Sequence, residues 1–229
     1  CGTGVSTVAL AEQGARVTAV DVVEESLKVA KERCKIYELQ ANFLCANATE
    51  LHQLLAGQSF DFIIFFACLE HLTNQERITA MKTTWEMLSP GSLWCVIETP
   101  NRLWYFDHHT AQLPFYSWLP DDIAFLYSRA SPRKTFNRLY RELDDHAMLD
   151  FLRRGRGVSY HEFELIMKPA EELKVVSSFA SFVRNRNLFT KVLWWLKDKN
   201  SFESSLVKVG PKIHRGFYQQ SLDLILKKD

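Results

Sequence analysis

The sequence predicts an α/β protein: a doubly wound, mostly parallel sheet carrying a helical insertion. Three observations predict it. Over the first hundred residues, short β-branched or aromatic runs alternate with amphipathic runs of helical period. The run "FDFIIFFACL" (60–69) is nearly all apolar, as a strand covered on both faces must be. Beyond residue 100 the alternation gives way to turn residues, aromatics and mixed helix, and strand signals return only near the end.

The elements follow in order. A turn containing Gly2 and Gly4 opens a helix that ends near Gly14. "RVTAVD" (16–21) reads as a strand ending in an acid, and "NFLCAN" (42–47) as the next strand. Between them, "VVEESLKVAKERCKIYEL" sets Leu27, Ala30, Cys34 and Tyr37 on one helical face. "NQERITAMKTTWEML" spaces Ile78, Met81, Trp85 and Leu88 by three and four, which predicts an amphipathic helix. "SPGS" ends that helix, and "LWCVIET" (93–99) is a strand. Such alternation implies parallel strands joined by right-handed crossovers. "LPDDIAFLYSR" and "FNRLYRELDDHAMLDFLRR" carry helix within the insertion. "SYHE" (159–162) is a capping box that opens a helix reaching about Met167. "LKVVSSF" reads as a strand, "NLFTKVLWWLKDK" as an amphipathic helix and "SLDLILKK" as a closing strand. The expected organisation is a core over 1–100, a helical lid over 101–158, and the C-terminal part of the core sheet over 159–229.

Composition narrows the function classes. The 229 residues are 47% hydrophobic and 24% charged, with a net charge of +1, so no global field draws the chain to nucleic acid. The five cysteines (Cys1, Cys34, Cys45, Cys68, Cys95) form no CxxC pair, which argues against a disulfide framework or a zinc site. Most of them sit in apolar contexts, as reduced core thiols do, so a reducing, cytoplasmic compartment is expected; no apolar run is long enough to span a bilayer and no leader-like segment opens the chain.

The chemistry concentrates at the opening. Glycines tolerate positive φ and let a ligand approach the backbone. The helix N-terminus behind them offers unpaired N–H groups to an anion. Asp21 stands 17 residues after Gly4 at a strand end, where an acid can accept both ribose hydroxyls. A dinucleotide site asks for G-x-G-x-x-G, but here the third position is Thr7. A GxG pair alone also suits a plain turn.

"CGTGVSTVALAEQGARVTAVD", "FDFIIFFACLEHL", "MLSPGS" and "VIETPNRLW" together resemble the class I S-adenosylmethionine-dependent methyltransferases, in the quinone-type and small-molecule branch. The resemblance covers roughly residues 1–105 and the closing strands. It implies a Rossmann-like core with its last strand antiparallel and S-adenosylmethionine as cofactor. It also implies a small-molecule or lipid-like acceptor, with O-methylation favoured. On that pattern a first strand would precede Cys1, at the sheet centre between the strands ending at Asp21 and Cys68. The chain is therefore expected to be truncated at its N-terminus.

The resemblance also implies roles for particular residues. Cys1, Gly2 and Gly4 would meet the amino-acid part of the cofactor, Asp21 its ribose, and Val22 its adenine face. Asn47 would accept from the adenine amine or cap the following helix, and Ala67 and Cys68 would offer backbone contacts. His71 is a candidate base, or a tie for its loop; His108 and His109 are further candidate bases. Asn101, Arg102 and His161 would face the acceptor. "DHH" (107–109) suggests a metal to the eye, but adjacent residues rarely reach one ion, and no metal is expected. The aromatics of "RLWYF…LPFYSWLP" suit a lid or a subdomain core. Basic residues and tryptophans over 184–199 suit weak contact with a membrane surface, or packing on the sheet. Nucleic-acid methylation is not expected, because no basic stripe or (D/N/S)PP(Y/F) motif is present. The rival readings are a nicotinamide-dependent oxidoreductase and an inactive binding module that keeps the fold.

Overall fold

The computed structural model describes residues 1–134, 136, 144–179, 181 and 201–229. These form two compact units, Cys1–Gln58 and Ser59–Asp229, each taken by itself below.

In the first unit, α1 (Val5–Glu12) starts at Gly4, whose φ of 82° lies in the left-handed region. A Cβ on Gly4 would stand 2.7 Å from the Cβ of Ala30, so only glycine lets α2 (Glu24–Ile36) approach this closely. Acids Glu24 and Glu25 open α2 and bases Arg33 and Lys35 close it, matching the helix dipole. Strands β1 (Thr18–Asp21) and β2 (Asn42–Cys45) pair in parallel, from Thr18↔Asn42 to Asp21↔Cys45. The buried face of α2 is Leu27, Ala30 and Cys34, as its period predicts. Tyr37 departs from that face: the helix has ended at Ile36, Tyr37 is its C-cap, and the side chain is exposed.

The second unit holds β3 (Phe60–Phe66), α3 (Asn74–Glu86) and β4 (Leu88–Pro100). Helices α4 (Asp121–Tyr127), α5 (Asp145–Arg153) and α6 (Tyr160–Ile166) follow. Strand β5 (Lys174–Ser178), helix α7 (Phe202–Val209) and strand β6 (Ser221–Lys227) complete the described elements. The strand order is β3-β4-β6-β5, with β3 and β4 parallel and β6 antiparallel to both β4 and β5. The α/β class with an antiparallel last strand is thus observed. The strands pair as a two-stranded and a four-stranded sheet.

Two local expectations need correction. "SPGS" lies inside β4 rather than before it, and the β3–β4 register shifts between Phe60 and Phe62 to accommodate it. Of the expected stripe Ile78, Met81, Trp85 and Leu88, Met81 and Leu88 are buried but Ile78 and Trp85 are only half-buried, and Arg77, Ala80, Thr83 and Thr84 complete the buried face of α3. Arg77 and Thr84 are buried there because both are satisfied. The Thr84 hydroxyl donates to Ala80 O (2.7 Å) and accepts from Trp94 Nε1 (3.1 Å). Trp94 is fully buried and packs against Phe65 and Phe163.

The insertion has a core of its own: Ala111, Leu113, Tyr116, Ala124, Phe125, Phe136 and Phe151. Its rings meet edge to face, Phe125 and Phe151 at 5.3 Å, a favourable aromatic geometry. The aromatic stretch therefore contributes to a subdomain core. The amphipathic segment 184–199 lies outside the described residues, as do 137–143 of the insertion. Among the described residues, no helix is long and apolar enough to cross a membrane.

Burial, with the Asp223 charge adding to it, pushes the Cys95 thiol up to about 12. A soluble alkylating reagent at neutral pH should modify exposed Cys45 while leaving buried Cys34 and Cys95 intact until the chain unfolds. Mass spectrometry of native and denatured samples checks this.

Candidate functional site

Each unit builds one polar constellation. In the first, the turn closes through Gly4 N–H to Cys1 O (3.1 Å) and brings Gly2 to the end of β1. Asp21 Oδ2 accepts from Gly2 N (2.7 Å) and Cys1 N (3.0 Å), and Oδ1 accepts from Val23 N (2.9 Å). Burial raises the Asp21 carboxyl, but the bonds from Val23, Gly2 and Cys1 outweigh it, and its pKa falls below the ordinary value. The acid is thus an ionised acceptor whose first duty is to anchor the turn. A carboxylate offers about four acceptor directions, so roughly one remains on Oδ1. No atom lies within 4 Å of a Cβ built on Gly2, whose φ is +53°. An open glycine beside an ionised acid fits a ribose-bearing ligand at this strand end. Val22, 63% exposed, is free to face it. Asn47 caps a short 3-10 turn, and its carbonyl oxygen is engaged by Thr49 N and Oγ1, both at 3.0 Å. What Asn47 retains for a ligand is its NH2 group.

The second constellation begins where β3 ends. Ala67 adopts φ +43°, an unfavourable conformation for a residue with a Cβ, and its N–H is held by Ile97 O (2.9 Å). Cys68 then leads into the turn Leu69–His71. The Glu70 side chain is fully buried, and the rings of His71 and His109 are 43% and 37% exposed. Glu70 Oε2 accepts from Thr99 Oγ1 (3.2 Å), while Oε1 has no hydrogen-bond partner. The Nε2 atoms of His71 and His109 each stand 3.8 Å from Oε1. His71 Nδ1 lies 2.9 Å from Arg153 O, a carbonyl that can only accept, so Nδ1 carries the proton. His109 Nδ1 lies 3.0 Å from Thr110 Oγ1. Burial raises the Glu70 carboxyl; its own amide and the two imidazoles act in the opposite sense without cancelling it.

A buried guanidinium fixes this loop. Arg77 Nε donates to Leu69 O (2.8 Å), and its terminal nitrogens donate to Leu72 O, Arg156 O and Gly157 O. The same group pairs with both oxygens of Glu162 (2.9 and 3.2 Å). Glu162 also accepts from Ser159 N as the capping residue of α6. Arg156 N–H in turn donates to Glu70 O (3.0 Å).

The predicted triplet 107–109 divides. The Asp107 carboxylate accepts backbone N–H bonds from His109, Thr110, Ala111 and Gln112, closing its own loop. His108 is exposed against Phe106, and His109 turns to Glu70. A Cβ on Gly155 would meet Thr110 Oγ1 at 2.6 Å and His109 Nδ1 at 3.3 Å, so a glycine there lets the chain pass behind the histidine. Buried Asn101 donates to Phe217 O and Gln219 O and accepts from Leu103 N, which spends its amide on the backbone. Arg102 donates to Ser117 O and lines a small polar cleft with Thr73, Asn74, Asp121 and Arg156. His161 is exposed and stacks on Tyr160 at 3.9 Å. Glu70 is the residue that sequence reasoning passed over; its signal was the Glu-His pair at the C-terminal end of an apolar strand.

With this geometry in view, residues 1–91 match the family described as a methyltransferase domain. The match covers the first 91 of the 229 residues, the segment that holds the Gly2 turn, Asp21 and the Glu70–His71 pair. Among curated relatives, the ubiquinone biosynthesis O-methyltransferase of Coxiella burnetii is 34% identical over 91 residues, 40% of this chain and 37% of that protein. The enzyme of the same name from Idiomarina loihiensis is 36% identical over 94 residues, 40% of this chain and 36% of that protein. The chain thus spans under half the length of these relatives. Among solved structures, a magnesium protoporphyrin IX methyltransferase from Synechocystis with bound S-adenosylmethionine aligns over 44% of this chain and 47% of that one, at 21% identity and a TM-score of 0.39.

Two outcomes follow from the geometry. Because the Asp21 pKa is lowered on folding, its contribution is complete above the unfolded value near 3.8 and is lost as pH falls through the folded one. Asp21→Asn should therefore flatten the acid limb of stability against pH in denaturant titrations. Arg77→Met should destabilise the chain by about 3–5 kcal/mol, since it leaves Glu162 and several carbonyls without their donor; urea unfolding measures it.

Proposed function

We propose that this protein transfers the methyl group of S-adenosylmethionine to the oxygen of a small-molecule or lipid-like acceptor. The single observation that carries the reading is the open Gly2 turn anchored on ionised Asp21, in a segment that matches a methyltransferase domain. When bound, the cofactor supplies a methyl group activated on a sulfonium, which the acceptor oxygen takes with release of S-adenosylhomocysteine and a proton. Asp21 accepts from the ribose through Oδ1, and Val22 lies against the adenine. Ala67 and Cys68 are the proposed backbone contacts at the end of β3. His71 and His109 are the groups proposed to take the acceptor's proton; exposed His108 stands apart from them. Alignment of acceptor and methyl supplies most of the catalysis in such a displacement. Preference for an oxygen acceptor draws on the O-methyltransferases that the chain resembles at about one third identity.

Titration calorimetry tests the reading. S-adenosylhomocysteine should bind and NADH should not, and Asp21→Asn should weaken binding by about tenfold or more, the cost of one charge-assisted hydrogen bond. Heat with NADH instead would favour the oxidoreductase. Cofactor binding without transfer to catechol-like acceptors would favour the inactive module.

A further inference from the structure

We propose that Glu70, His71 and His109 form a binding site for a first-row divalent cation, zinc before magnesium. The inference goes beyond methyl transfer and stands on the geometry of the second unit alone; a bound ion occupies the Nε2 lone pairs, so ion binding and the proton acceptance proposed for the same two rings are mutually exclusive states of these side chains.

The three candidate ligand atoms, one carboxylate oxygen and two imidazole nitrogens, lie within 4.8 Å of one another. Among the described residues this is the group of three such side chains close enough to share an ion. Proximity alone would not make a site, because histidines and acids often meet at surfaces. Glu70 supplies the independent observation. Its side chain is fully buried, and Oε1 is aimed at the two rings with no hydrogen-bond donor upon it. Buried carboxylate oxygens are nearly always satisfied, and leaving one without a partner is costly.

The histidines cannot satisfy it in their neutral form. The Arg153 carbonyl holds the proton of His71 on Nδ1, so the Nε2 facing Glu70 presents a lone pair. At 3.8 Å neither ring is within hydrogen-bonding distance of Oε1. The Glu70 oxygen and the His71 lone pair thus face each other with no donor between them, and His109 Nε2 becomes a third acceptor when the Thr110 hydroxyl donates to its Nδ1. A cation resolves this: ligand distances near 2.0–2.2 Å to nitrogen and oxygen suit a small divalent ion among atoms spaced as these are.

The surroundings have the character of a ligand shell. His71 Nδ1 is held by a backbone carbonyl and His109 Nδ1 by a hydroxyl, the outer contacts that orient metal-bound imidazoles. Arg77 fixes the backbone on both sides of Glu70 through Leu69 and Leu72. Gly155 leaves room for His109 to take its place. Two imidazoles and one carboxylate favour zinc and its first-row neighbours over magnesium, which prefers oxygen alone. Both rings are partly exposed, so positions opposite Glu70 remain open to water or to an oxygen of an added ligand.

The test uses the full chain, stripped with chelator and titrated with Zn2+ by calorimetry and with Co2+ by visible absorption. One ion should bind per chain. The cobalt spectrum should lack thiolate charge-transfer absorption, because no cysteine is among the ligands. Glu70→Gln and, separately, His109→Ala should each weaken binding at least about 100-fold, while His52→Ala, on the first unit, should leave it unchanged. Should Glu70→Gln fail to fold, His109→Ala carries the test, since that ring is partly exposed. Absence of one-to-one binding, a thiolate band, or affinity indifferent to both ligand variants would overturn the site. Binding of S-adenosylhomocysteine measured on the same samples is judged apart, so failure of the metal leaves the methyltransferase reading standing, and the reverse.

Discussion

The second unit depends on one buried cation. Arg77 is 1% exposed, and a charge so far from water survives only if every donor is used. It is satisfied by four backbone carbonyls and the Glu162 carboxylate. These partners come from the loop after β3, from the 156–157 stretch and from the start of α6. One side chain on α3 therefore sets the relative position of three segments remote in sequence. The loop it pins is the one that carries Glu70 and His71.

A second consequence concerns Glu70. The same closure that buries Arg77 also buries a carboxyl group whose Oε1 has no hydrogen-bond donor. Here the fold tolerates what it avoids at Glu162, where the acid meets its guanidinium. Backbone strain lies close by, at Ala67 with its φ of +43°. A strained backbone and a buried carboxyl oxygen without a donor thus stand within four residues at the end of β3, both at a cost to stability.

In the first unit the controlling contact is steric and local. Gly4 permits both the left-handed start of α1 and the approach of Ala30, and Gly2 N–H meets the carboxylate at the end of β1. Asp21 so fixes the turn before any ligand arrives, and stays ionised because backbone N–H groups point at it.

Much of this was legible from residue order alone. Periodicity located the strands and most helices, because side-chain burial repeats every two or every 3.6 residues whatever the distant partners are. Glycine spacing and the acid at 21 marked the turn, since positive φ and a strand-end carboxylate are local properties. The capping box at Ser159–Glu162 was likewise readable over four residues. The failures are non-local. Met81 and Leu88 of the expected stripe are buried, but Arg77 and Thr84 are buried where Ile78 and Trp85 were expected, because Trp94 satisfies Thr84 and Glu162, far along the chain, satisfies Arg77. Asn101 suited a substrate contact until the backbone at 217–219 claimed its amide. His108 and His109 are indistinguishable as neighbours in sequence, yet only His109 reaches Glu70, 39 positions earlier. Sequence by itself determined which elements form and where a nucleotide-like turn stands. Only tertiary structure decided which polar side chains are spent on the fold and which converge, because that depends on partners brought together by folding.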